Sequence, residues 1–160
     1  MGLRYPDQKH ADCFFITTTF KNWLKLGNIP GFYEAMADNL VFCLNKYKAL
    51  LTAYVFMPSH IHFIIFIEGK RLSHLMRDFK KYIAQKVAKE FNIKESGIWC
   101  QRYDRVAIYS EDIMKIKINY IHNNPVKDGI ASNAEEWEWS SATDYVTDKK
   151  GKITIYKDWF

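Results

Sequence analysis

Two short motifs carry side chains able to do chemistry. His60-Ile61-His62 sets two imidazoles two residues apart. Side chains alternate along a strand, so both rings leave one face while Ile61 leaves the other. Two neutral imidazoles side by side are good ligands for a divalent metal ion. A bare His-x-His has a second explanation, a pair of satisfied polar residues in a core, and the spacing alone leaves both open. The second motif is Tyr120-Ile121-His122-Asn123-Asn124-Pro125. On a helix Tyr120 and Asn124 lie four apart and share a face. Asn124 offers a carboxamide oxygen that could complete a metal's protein ligands, and Tyr120 offers a phenol. Taken singly, Tyr120 reads first as a core or boundary aromatic, and Asn124 first as a helix-end residue ahead of a proline turn. His122, two past Tyr120, points elsewhere on a helix, which counts against it as a proton relay.

The elements that must position these groups are legible in the hydrophobic pattern. Residues 13–20 (CFFITTTF) are aromatic and β-branched and predict a strand. Residues 22–31 hold two glycines and a proline and predict a loop. Phe32, Met36, Leu40, Cys43, Leu44 and Tyr47 recur at helical spacing. Strands follow over 50–57 and 60–67, broken by Pro58-Ser59, which makes a hairpin. Ser73 can cap a helix over 74–91 whose stripe is Leu75, Met76, Phe79, Tyr82, Ile83, Val87 and Phe91. After a loop through Gly97, a fourth strand is expected over 105–109. Ser110 then caps a helix with Glu111 and Asp112 in its first turn, ending near Pro125. A polar tail with a little strand, 152–156, closes the chain. The order matches a split β-α-β, ferredoxin-like α+β fold, an antiparallel sheet with helices packed mainly on one face. One domain over residues 1–160 is expected, with a short C-terminal extension from about 146.

Composition narrows the function classes. Cys13, Cys43 and Cys100 are odd in number, widely spaced and form no Cys-x-x-Cys pair, which argues against a disulfide framework and a cysteine zinc site. Free or buried thiols are expected. The longest strongly apolar run, 63–67, is far too short to cross a bilayer, and the first dozen residues lack the apolar core of a signal peptide. A soluble, cytoplasmic protein with no membrane partner is expected. The net charge of +5 suits a polyanionic partner. Residues 71–91 hold six basic residues against two acidic ones, a phosphate-binding surface or a solvated helix face.

Longer stretches are similar to a known family. Ala53-Tyr54-Val55-Phe56-Met57-Pro58-Ser59-His60-Ile61-His62 resembles the strand-turn-strand motif of the tyrosine-HUH transposases of small insertion sequences. Leu72-Ser73-His74-Leu75-Met76-Arg77-Asp78-Phe79-Lys80 resembles their basic helix. Ile98-Trp99-Cys100-Gln101-Arg102-Tyr103-Asp104-Arg105, then 120–129, then Trp137-Glu138-Trp139-Ser140-Ser141-Ala142 follow in the family's order. The likeness is greater still to the transposase-like proteins associated with repetitive extragenic palindromes (REP). Ser59, Cys100 and Asp128 depart from the usual pattern, and none of them occupies a catalytic position.

The resemblance implies that His60, His62 and Asn124 hold Mg²⁺ or Mn²⁺ and that Tyr120 is the nucleophile. It implies single-stranded DNA, in hairpin or palindromic form, as partner, and a monomer or homodimer. Nicking would leave a 5′-phosphotyrosine and a free 3′-hydroxyl, with strand transfer by reversal. Ligands facing a solvated cleft would carry little core packing. Arg77, Lys80, Lys81, Gln101, Arg102, Arg105 and Lys127 are the expected DNA contacts, and Trp137 and Trp139 are expected to pack the C-terminal segment. Two rival classes stay in view: a DNA-binding regulator that kept the fold without transposition, and a metal-dependent phosphohydrolase of small molecules.

Overall fold

The computed structural model describes residues 10–93 and 97–159. Four strands, β1 (Cys13–Thr19), β2 (Leu50–Phe56), β3 (His60–Phe66) and β4 (Asp104–Ala107), form one sheet in the order β2-β3-β1-β4. Every pairing is antiparallel. That order is the ferredoxin-like one, and the fold is α+β as expected. The helices are α1 (Phe32–Tyr47), α2 (Gly69–Glu90), α3 (Glu111–Lys127) and a short α4 (Ala142–Val146).

The sheet is covered on both faces. Phe14, Ile16, Tyr54, Phe56, Ile61, Phe63 and Ile65 point one way and pack with Met36, Leu40 and Leu44 of α1 and Leu75, Phe79 and Ile83 of α2. Phe15, Ala53, Val55, Met57 and Ile64 point the other way and meet Met114, Ile118 and Ile121 of α3. α1 and α2 thus share one side, but α3 takes the other. The alternation that sends Ile61 to the α1/α2 core sends His60 and His62 toward α3.

Several boundaries differ from the sequence expectation. Ser73 lies inside α2 and does not cap it; the helix begins at Gly69, where the Arg71 N–H bonds the Glu68 carbonyl at 2.8 Å. Burial of Leu72 draws that first turn onto the core. Pro125 does not end α3, which runs to Lys127. A proline in the last turn forfeits one hydrogen bond, and the chain turns out only at Gly129 (φ +75°), with the Ile130 N–H bonding the Pro125 carbonyl. Residues 152–156 make no strand; one bond, from the Tyr156 N–H to the Leu51 carbonyl at 2.7 Å, ties them to β2. Trp139 is buried and Trp137 donates to the Phe56 carbonyl at 3.0 Å, so both do pack this segment. All three cysteines are free. Part of the loop through Gly97 falls on residues 94–96, outside the described ones. Among the described residues no helix is long and apolar enough to cross a membrane.

Candidate active site

β3 delivers the two imidazoles. The register sets His62 opposite Thr17 of β1 and Val55 of β2. His62 Nδ1 lies 2.8 Å from the Thr17 hydroxyl, and His60 Nδ1 lies 3.1 Å from the Ser59 hydroxyl. Both rings are therefore held through Nδ1, the usual way an imidazole is oriented to offer Nε2. Their centroids are 4.9 Å apart, and His62 stacks on Phe15 at 5.5 Å. His62 is only 4% exposed, so it belongs to a core and not to a solvated cleft; His60 is half-buried. His62 Nε2 is buried without a hydrogen-bond partner.

Burial pushes the His62 imidazole down to about 3, helped by the charges of His60 and Lys117. Burial also lowers His60, opposed by a hydrogen bond with the Asn124 side chain and by the Asp128 charge. Both rings are therefore neutral at neutral pH, the form that can ligate a metal.

α3 delivers the other two groups. The Ser110 hydroxyl accepts from the Ile113 N–H at 3.3 Å and fixes where the helix starts. With Met114, Ile118 and Ile121 buried against the sheet, Tyr120 and Asn124 fall beside the histidines. The Tyr120 ring stands edge-on to His62 at 5.3 Å and to Phe15 at 5.9 Å, and remains 47% exposed. Asn124 is buried. His122 turns away, its Nε2 2.8 Å from the Ser141 hydroxyl.

Among the described residues no three His, Cys, Asp or Glu side chains gather. A metal here would rest on two imidazoles and one carboxamide oxygen. The residues fit that role, because a buried, neutral His62 with an unpartnered Nε2 is otherwise a cost without a return.

The expected DNA contacts scatter. Lys81, Gln101, Arg102 and Lys127 are exposed. Arg77 is exposed, with its Nε 3.2 Å from Asp78. Lys80 donates to the Cys100 carbonyl at 2.8 Å and lies over Trp99, which makes it a brace for the 97–101 loop. Arg105 is 7% exposed over Phe14, on the face opposite the histidines. Neither is a free surface cation.

Residues 30–124 match the family model described as transposase, IS200 like. The chain belongs to the IS200-like transposase family. The matched stretch runs from the start of α1 through the histidine hairpin to Asn124. A Haemophilus influenzae protein, provisionally named a REP-associated tyrosine transposase, is 28% identical over 118 residues, covering 67% of this chain. The match spans 64% of that relative's length. A solved REP-associated tyrosine transposase bound to a REP hairpin superposes with a TM-score of 0.76 at 21% identity, covering 98% of this chain and 95% of that one. A provisionally named transposase from Deinococcus radiodurans R1 superposes with a TM-score of 0.51 at 15% identity, over 77% of this chain and 95% of that one.

In this IS200-like chain two neighbours of the site escaped the sequence reading. Lys117, one turn before Tyr120, holds its ammonium 4.8 Å from the Phe15 ring, the same ring that meets His62 and Tyr120. The i, i+3 spacing from Tyr120 was the available signal. Trp23 stands 6.2 Å from His60 with its ring edge-on. It lies far from the motifs in sequence, and only the fold brings it near.

Proposed function

We propose that the chain is a metal-dependent single-stranded DNA nickase and strand transferase that forms a 5′-phosphotyrosine at Tyr120 and acts on hairpin or palindromic DNA in transposition. The carrying observation is the convergence of Tyr120 on a buried imidazole whose Nε2 has no partner. Family membership supports a DNA-cleaving enzyme, and the structural relative bound to a REP hairpin supports a hairpin substrate.

His60, His62 and Asn124 would hold Mg²⁺ or Mn²⁺. Bound there, the ion would withdraw charge from the scissile phosphate and orient it. Thr17 and Ser59 keep the two rings in place. Tyr120 gives its phenolic proton to water as its oxygen forms a bond to phosphorus. The bond from phosphorus to the 3′-oxygen breaks, and that oxygen takes up a proton. The diester charge is unchanged, so a second 3′-hydroxyl can run the step backward without an energy source. Lys117 lies where a phosphate oxygen beside Tyr120 would meet a positive charge.

The test is cleavage of a hairpin oligonucleotide with single-stranded flanks. Nicking should stop in a chelator and return with Mg²⁺ or Mn²⁺. Undiminished nicking in the chelator contradicts the metal role, and binding without any nicking under either condition favours a DNA-binding regulator.

A further inference from the structure

The segment between β1 and α1 holds a tryptophan that the chemistry above does not use. Trp23 is 67% exposed. Its backbone is left-handed (φ 55°), as is that of Asn22 before it (φ 56°). Two consecutive non-glycine residues in that region are costly, and a tryptophan there is an outlier. Such strain persists only where the surroundings impose it, and it points toward function.

The surroundings here are specific. The Trp23 N–H bonds the Phe20 carbonyl at 3.1 Å, and the Phe20 N–H bonds the Ser59 carbonyl at 3.0 Å. The Lys21 N–H bonds the Ile98 carbonyl at 2.7 Å, and the Gly27 N–H bonds the Pro58 carbonyl at 3.0 Å. The loop is thus stitched to the Pro58-Ser59 turn that delivers His60. The indole is held 6.2 Å from the His60 ring, at the mouth of the site. Its flanks are charged: Lys21 and Lys25 are both exposed, and among the described residues neither pairs with a carboxylate. No acidic residue occurs between Cys13 and Tyr33.

An exposed flat ring on a rigid backbone, flanked by unpaired cations, is the chemistry that recognises a base on an anionic strand. We infer that Trp23 is a stacking platform for one nucleobase of single-stranded DNA beside His60, with Lys21 and Lys25 on the adjoining phosphates. This rests on the reading of the chain as acting on single strands, but not on Tyr120 chemistry. Stacking tolerates any base, so the platform would hold the strand near the scissile phosphate while sequence is read elsewhere. A backbone already fixed in the unusual conformation loses little freedom on binding.

The experiment uses the full chain in a chelator, so that cleavage does not intervene. Affinity is measured by fluorescence anisotropy for a twelve-nucleotide oligothymidylate and for an abasic strand of the same length. Trp23→Ala should weaken oligothymidylate binding about tenfold and leave abasic binding within about twofold, while Trp23→Tyr restores most of the loss. Equal weakening on both strands, or none on either, overturns the proposal. So does sedimentation showing a wild-type dimer that Trp23→Ala disperses with oligothymidylate affinity unchanged, which would make Trp23 a contact between copies. Wild-type protein that binds neither strand overturns the single-strand reading and this proposal together. Wild-type protein that binds and shows the Trp23 effect but never nicks leaves the platform standing and removes the nuclease.

Discussion

Asp78 and His62, buried on opposite faces of the sheet, meet burial in opposite ways. On the α1/α2 face, Asp78 is almost enclosed, yet it accepts from Lys46 at 2.7 Å, from Arg77 at 3.2 Å and from the Tyr47 hydroxyl. Those partners hold its carboxyl well below the usual range. Asn39 likewise donates to the Phe79 carbonyl at 2.9 Å and ties the two helices. On the α3 face, His62 is as deeply enclosed, but one nitrogen faces Thr17 and the other faces nothing. A satisfied buried polar group serves the fold. One that is held firmly and left half-satisfied is what a site prepared for an absent partner looks like. The two groups therefore serve different ends, Asp78 the packing of α1 on α2 and His62 an open side beside Tyr120, on faces set by the alternation of β3.

Substitutions on the two sides should separate stability from chemistry. His62→Ala should lower nicking at least about a thousandfold, near 4 kcal/mol of barrier. It should cost only about 1–2 kcal/mol of stability, because it also removes an orphaned polar atom. Phe79→Ala, in the other core, should cost about 3–5 kcal/mol of unfolding free energy. The fraction that stays folded should nick normally. Chemical denaturation and oligonucleotide cleavage, run on both variants, would erase the contrast if either moved both quantities alike.

The open side was partly legible in advance. The same-face geometry of His60 and His62 follows from strand alternation alone, and the pairing of Tyr120 with Asn124 from helical spacing. Their convergence does not, because no pattern says which face of the sheet α3 will cover. The expected packing of helices mainly on one face holds for α1 and α2, while the side taken by α3 was not legible. Pro125 misled because a proline in a last turn costs one bond, which the Gly129 exit accommodates. The small strand expected at 152–156 reflected β-branched residues that bury Ile153 without pairing. Lys80 and Arg105 read as surface cations because sequence does not reveal that one braces a loop and the other is buried. Trp23 was invisible because its neighbour His60 is distant in sequence.

A third contrast concerns acid. His122 is buried and its imidazole is pushed down to about 4. The unfolded chain binds the proton near pH 6.5, before the folded one does. Its contribution to stability is therefore complete above pH 6.5 and is lost as pH falls toward 4, on the order of 3 kcal/mol. His62 acts in the same direction. Unfolding measured from pH 7.5 to 4.5 should show the decline, and His122→Gln should flatten it. A profile unchanged by that substitution would mean His122 is not the group that titrates.

The smallest effect belongs to the basic helix. Lys81 is exposed and without a carboxylate partner among the described residues, whereas Lys80 is committed to the Cys100 carbonyl. Lys81→Ala should weaken DNA binding a few-fold across sequences and reduce the salt slope by about one. Lys80→Ala should show itself mainly as lost stability. An identical salt slope in wild type and Lys81→Ala would make the exposed face of α2 only a solvated one.

The central claim is that Tyr120 is the nucleophile. Wild-type protein incubated with a hairpin oligonucleotide and Mn²⁺, then denatured, should carry a covalent adduct to the 5′-phosphate of the strand on the 3′ side of the nick. Proteolysis and mass spectrometry of the modified peptide should place the nucleotide on Tyr120. Tyr120→Phe, which keeps the ring against His62 and Phe15, should fold, bind DNA and form none. An adduct mapped to Tyr103, Tyr109 or Tyr145 would contradict the assignment, and a Tyr120→Phe variant that still nicks without any adduct would make water the nucleophile.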